Sequence, residues 1–230
     1  MRIDKFLANL KYGTRKDVKK LIRDKRIRIE DQVIRSGSHI FDPNKEIVYF
    51  DNELIYYKER IVLMLNKPAG YLSANHDLTF PTVIELLKPP YDRFDLKIAG
   101  RLDKDTVGLM LLTNDGELLH NIITPKKNVY KKYYVKTKKI IKNIELLSKE
   151  FTIYDGADRE YTPMTPIVEQ ISDNELYISI KEGKFHQIKR MVKYIKNEVI
   201  YLKRVSIGNI VLDESLALGE YKEIEIKESL

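Results

Sequence analysis

The chain has 230 residues, a net charge of +7, 33% charged and 43% apolar residues, and no cysteine. This length suits one main domain plus a small module, and the composition is that of a folded chain, not a disordered one. With no cysteine, disulfides and thiolate metal sites are excluded, and the apolar run at residues 107–112 is far too short to span a membrane.

The first segment, MRIDKFLANL, places Ile3, Phe6, Leu7 and Leu10 on one helix face. Its acid and polar residue stand where a secretion signal would be apolar, so the expected location is cytoplasmic, with no membrane partner. Gly13 ends this helix. Thr14 and Asp17 then form a capping box that opens a second helix, with Val18, Leu21 and Ile22 on its apolar side. Arg15, Lys16, Lys19, Lys20 and Arg23 lie off that side. The run RIRIEDQVIR alternates around Asp31-Gln32 and predicts a short hairpin. If the apolar faces pack together, the cations must face out, which is a compact way to present positive charge to phosphates. From Arg2 to Val33 the pattern of two short helices and a basic hairpin resembles an S4-like RNA-binding domain. Residues 1–58 are assigned to this module and residues 59–230 to a second domain.

Charge supports a polyanionic partner. Residues 1–35 hold twelve Lys/Arg against five Asp/Glu, residues 126–142 hold eight lysines and no acid, and residues 181–196 are basic but for Glu182.

Beyond residue 60 the texture changes. IVLMLNKPAGY predicts a buried strand entering a turn, and residues 82–87 a helix that stops before Pro89-Pro90. Residues 107–112 read as a strand buried on both faces. A capping box over residues 114–117 opens a helix lined by Leu118, Leu119, Ile122 and Ile123. Residues 130–136 alternate as a strand, 176–180 form another, and 186–194 form a helix burying Ile188, Met191 and Val192. Closing strands fall at 199–210 and 221–226. Strands outnumber helices without regular interleaving, which predicts an α+β fold with a mixed, largely antiparallel sheet flanked by helices.

The stretch AGRLDKDTVGLMLLTNDG sets Asp103 at the mouth of a buried strand, close to Arg101. A carboxylate at the edge of an apolar core needs a cation, from Arg101 or elsewhere, to remain charged. Held in that way it suits nucleophilic or general-base work; an Asp–Arg pair bracing a loop is the plainer alternative. Gly100-Arg101-Leu102-Asp103, Thr106, Gly108-Leu109 and residues 112–116 together resemble the catalytic motif of the pseudouridine synthases, in their RsuA/RluB/E/F branch. Residues 65–71 (LNKPAGY), 131–135 (KKYYV) and 182–191 (EGKFHQIKRM) resemble further motifs of that branch, in the same order. The resemblance covers essentially the whole chain.

It implies an RNA isomerase in which Asp103 is the catalytic aspartate, Tyr133 packs on the target base and Lys189 pairs with the aspartate, with Arg190 as the neighbouring candidate for that pairing. Tyr130 stands where relatives often carry an acid; the Lys-x-Tyr spacing favours Tyr133 over Tyr134. Arg101, His186 and Arg190, with the basic residues of the first module, are the expected RNA contacts. No cofactor or metal is implied. HQIKR at residues 186–190 resembles the small-subunit pattern within the branch, so the expected partner is 16S ribosomal RNA in an assembling particle. The enzyme is expected to act as a monomer. The alternatives are a large-subunit enzyme and a non-catalytic RNA-binding assembly factor.

Overall fold

The computed structural model describes residues 1–157 and 159–226. It divides into two compact units: Met1–Ile61 with Leu87–Leu96, and Val62–Leu86 with Lys97–Leu230. The expected boundary after residue 58 lies close to this division, and Leu87–Leu96 has no counterpart in that expectation.

In the first unit, α1 (Ile3–Asn9) and α2 (Arg15–Arg23) precede a four-stranded sheet in the order β2-β1-β3-β4. Its strands are β1 (Ile27–Ile29), β2 (Gln32–Val33), β3 (Val48–Phe50) and β4 (Glu53–Leu54). The capping box forms as expected: Thr14 Oγ1 accepts from the Asp17 amide, and Asp17 reaches back to the Thr14 amide at 2.9 Å. Ile3, Phe6, Leu7, Val18, Ile22 and Ile27 make the core. The hairpin turn falls one residue earlier than its sequence suggests. Arg28 pairs with Val33 and Ile29 with Gln32, which leaves Glu30 and Asp31 in the turn, and Glu30 takes a left-handed φ of 46°. Tight hairpin turns require such positive φ values.

The second unit is built on a nine-stranded sheet. Its strands are β5 (Val62–Lys67), β6 (Lys97–Ala99), β7 (Val107–Thr113), β8 (Lys131–Thr137), β11 (Ile167–Ser172), β12 (Glu175–Ile180), β13 (Val199–Ile207), β14 (Ile210–Val211) and β15 (Tyr221–Glu223), with the two-strand pair β9 (Ile153–Tyr154) and β10 (Glu160–Tyr161) separate from it. The main order is β11-β12-β8-β13-β7-β5-β15. Only β7 and β13 pair in parallel among the described strands; the others pair antiparallel. The fold is therefore α+β with a mixed, largely antiparallel sheet, and it has few helices: α3 (Gly116–Ile123) and α4 (Gln187–Tyr194).

Every residue of β7 is buried, because the strand has β5 on one side and both β13 and β6 on the other. Gly108 makes the β13 contact possible. It has φ of 100°, and a Cβ there would lie 2.3 Å from the Arg204 carbonyl oxygen. Strand β8 alternates fully, with Lys131, Tyr133, Val135 and Thr137 buried on one face.

Three local expectations shift. The cap of α3 is Asp115, which accepts from the amides of Glu117 and Leu118, so the helix starts one residue later than the expected box. Thr113 thereby completes β7 and accepts from the Asp115 amide through Oγ1. Residues 82–87 yield only a 3-10 turn, Val83–Leu86. The closing strand ends at Glu223.

Candidate active site

A cleft of about 420 Å³ opens in the second unit, lined by residues of the 101–106 loop, Tyr133, Leu202 and the segment 183–189. The loop before β7 supplies Asp103. Its shape is held by main-chain contacts. Ser73 Oγ donates to the Leu102 carbonyl at 2.6 Å and accepts from the Leu102 amide at 2.9 Å. Lys67 is fully buried at the end of β5, and its Nζ lies 3.0 Å from the carbonyl oxygen of Pro68, 3.1 Å from that of Asp103, 3.3 Å from that of Lys104 and 2.9 Å from that of Thr106. The Gly70 amide donates to the Lys104 carbonyl at 2.8 Å. The Lys-Pro-Ala-Gly segment is thus the clamp of the aspartate loop. Burial pulls the Lys67 ammonium down to about 8, although the charges of Asp105 and Asp103 act in the opposite sense.

Lys189 arrives from the first turn of α4. Its Nζ stands 3.1 Å from Asp103 Oδ2 and 2.6 Å from Asp105 Oδ1. The cation that pairs with Asp103 is therefore Lys189, while Arg101 is exposed at the rim of the cleft. Burial pulls the Lys189 ammonium down, but the two carboxylates outweigh it and leave it above the ordinary lysine value. Asp105 shows the mirror image: burial pushes its carboxyl up, and the bond and charge of Lys189 hold it below the ordinary value. Asp105 was not among the residues singled out by sequence, although it lies in the same motif.

Tyr133 is 6% exposed and lines the cleft, whereas Tyr134 faces the other side of β8 with Tyr177 and Tyr201. Beneath Tyr133 lies Arg204 of β13, which is fully buried. Its guanidinium donates to the carbonyls of Leu109 at 2.7 Å and Gly100 at 2.9 Å, and Nη1 lies 3.5 Å from the Tyr133 hydroxyl. It ties β7, the aspartate loop and Tyr133 together. Sequence reasoning missed it, since an arginine in LKRVSI reads as a solvent-facing strand residue.

His186 caps α4 in the left-handed region, with Nε2 3.6 Å from Asp103 Oδ2. Gln187 is buried and braces the preceding loop through Glu182 and the Lys184 amide. Arg190 turns away from Asp103 and donates to the carbonyls of Tyr154 and Asp155.

In the first unit, Arg15, Lys16, Lys19, Lys20 and Arg23 are all exposed on α2. Lys19 and Arg23 also line an open groove of about 490 Å³ with Arg2, Lys25 and Arg35, three cations that sequence reasoning left aside. The lysine run at 126–142 behaves differently. Lys132, Lys136 and Lys138 meet Glu169, Glu175 and Glu198 at 3.3, 3.3 and 2.8 Å, and Lys131 is buried. Three of the eight lysines in this run are thus paired with acids that are distant in sequence.

Comparison with known proteins gives the class. Residues 61–194 match the RNA pseudouridylate synthase family, and residues 1–47 match the S4 domain. The chain belongs to the RNA pseudouridylate synthases, isomerases that convert uridine to pseudouridine within RNA. It is 43% identical over 230 residues to an uncharacterized RNA pseudouridine synthase, YtzG, of Bacillus subtilis, covering 99% of this chain and 96% of that one. It is 37% identical to the ribosomal small subunit pseudouridine synthase A of Haemophilus influenzae, covering 97% and 96%. A crystal structure of a pseudouridylate synthase superposes with a TM-score of 0.66 at 35% identity, covering 98% of this chain and 96% of that one. Among the described residues, no helix is long and apolar enough to cross a membrane.

Proposed function

We propose that the protein isomerises one uridine of 16S ribosomal RNA, as a cytoplasmic monomer acting on an assembling small-subunit particle. The observation that carries the catalytic assignment is the Lys189 ammonium, 3.1 Å from Asp103, in a cleft that Tyr133 lines. The small-subunit target is supported by the relatives named for that subunit, at 37% and 33% identity in Haemophilus influenzae and Escherichia coli.

In this reading the uridine leaves its stack to enter the cleft, at a cost of a few kcal/mol that is lowest in a loop. Asp103 acts on the reacting nucleoside, and Lys189 holds that carboxylate in place. Tyr133 presents its ring to the base, with its hydroxyl near the carbon that loses a proton. The bond from base nitrogen to sugar breaks, and a bond from base carbon to the same sugar carbon forms. The ring carbon gives up one proton and the freed nitrogen takes one. Substrate and product are isomers, so no oxidant, reductant or external energy is required. Arg101 and His186 at the cleft, Arg190 behind it, and Arg15, Lys16, Lys19, Lys20 and Arg23 on α2 contribute to RNA affinity.

The test combines a gene deletion with a pseudouridine map of total RNA. Loss of one 16S site is expected, and complementation by Asp103→Asn leaves that site unmodified while RNA affinity stays within a few-fold of wild type. An unchanged 16S map, or full modification by Asp103→Asn, overturns the assignment.

A further inference from the structure

Phe185 is a large apolar side chain left 59% exposed in the lining of the catalytic cleft. Its ring stacks on His186, with centroids 3.8 Å apart and planes 19° from parallel. One edge rests on Gly156, where a Cβ would come within 2.8 Å of the Phe185 ring, and the Arg190 guanidinium stands 5.8 Å from the ring centroid. His186 stands at the N-cap position of α4 with a left-handed φ of 52°. The same residue's Nε2 stands 3.6 Å from Asp103 Oδ2, which places the stacked pair beside the reacting carboxylate. A buried core does not account for this ring, because the residue is not in it. The arrangement has the elements of a nucleobase platform: a flat ring, backed by His186, open to solvent, with a cation near it.

The geometry points to a second nucleobase subsite, in which Phe185, backed by His186, stacks a base that neighbours the extruded uridine. The inference rests on the RNA-modifying reading of the cleft but not on which RNA is the target. Stacking on an aromatic face is sequence-tolerant. The subsite therefore holds the flanking strand in place, and recognition of its identity is left to other contacts. Phosphate attraction falls to the basic side chains, which makes the two contributions separable by salt.

The chain has no tryptophan, so Phe185→Trp places a single tryptophan on the platform, which can be excited apart from the fifteen tyrosines. Titration with oligouridylate is expected to quench it, whereas inorganic polyphosphate at matched ionic strength is not. Phe185→Ala is expected to weaken oligouridylate binding about 5- to 150-fold with the salt dependence of affinity unchanged, and Phe185→Tyr to restore it. Absence of quenching at the highest oligouridylate concentration, equal quenching by polyphosphate, or an unaltered affinity of Phe185→Ala each overturns the proposal; the first is also what a protein-docking role for this ring would give. The 16S assignment fails by a different result, an unchanged modification map, so the two can fall separately.

Discussion

Lys189 meets two carboxylates at once, Asp103 at 3.1 Å and Asp105 at 2.6 Å. With the ammonium gone, Asp105 loses the bond and the charge that hold its carboxyl down, and burial then favours its protonated form. Lys189→Met is expected to move the acidic limb of kcat/KM to higher pH, and Lys189→Arg to leave it near wild type; a limb that does not move contradicts the pairing. Lys67 acts at the other end of the pH scale. Its folded value is about 8, below the ordinary 10.5. Between these values the unfolded chain binds the proton more than the folded chain does, so this group's contribution to stability rises with pH across the window. Over the same range the Lys67 amine loses its charge and one of its three donors to the aspartate loop. Activity is therefore expected to fall above about pH 8 with no matching loss of Tm. Lys67→Arg removes that decline. Lys131, also pulled to about 8 by burial, donates to the Lys181 carbonyl and not to the loop, so Lys131→Arg leaves the decline in place. Parallel declines of activity and Tm would argue against the clamp.

At the level of elements, the meeting of β7 and β13 is the most demanding contact of the second unit. Gly108→Ala forces a Cβ against the Arg204 backbone in a conformation that side chains rarely adopt. The expected loss is about 3 kcal/mol or more, read as a lower denaturant midpoint. Gly116→Ala, at a position with nothing within 4 Å, is expected to stay within about 1 kcal/mol of wild type. Equal effects at the two glycines would mean that the close approach is unimportant. Much of this sheet was legible in the sequence. Seven consecutive buried residues mark β7 as interior, and strict alternation in β8 puts Tyr133 and Tyr134 on opposite faces. What stayed hidden were the buried cations. Lys67, Lys131 and Arg204 carry the same local signature as surface residues, and their burial depends on carbonyls brought in by other strands. The acids that neutralise residues 132–138 are also distant in sequence, so a charge run alone overstated the basic surface.

For the whole molecule, the proposed function assigns RNA binding in part to the first compact unit and the chemistry to the second. The first unit offers a groove lined by five cations, where only Asp4 supplies an acid, and Asp4 is already paired with Arg2 at 2.7 Å. Replacing Lys16, Lys19, Lys20 and Arg23 together by glutamine is expected to weaken RNA binding and flatten its salt dependence, by about 0.7 in log–log slope for each lost contact to a single strand. Turnover at saturating RNA should hold. An unaltered slope would remove α2 from the RNA-binding surface.

The four-carbonyl grip of Lys67 also bears on how such a site can change over time. It grasps main-chain oxygens and is indifferent to the side chains attached there. Position 104 can drift among residue types while the loop keeps its shape, whereas position 67 must keep a cationic donor long enough to reach these carbonyls. New substrate preferences can then be explored at the rim without disturbing the geometry inherited beneath it.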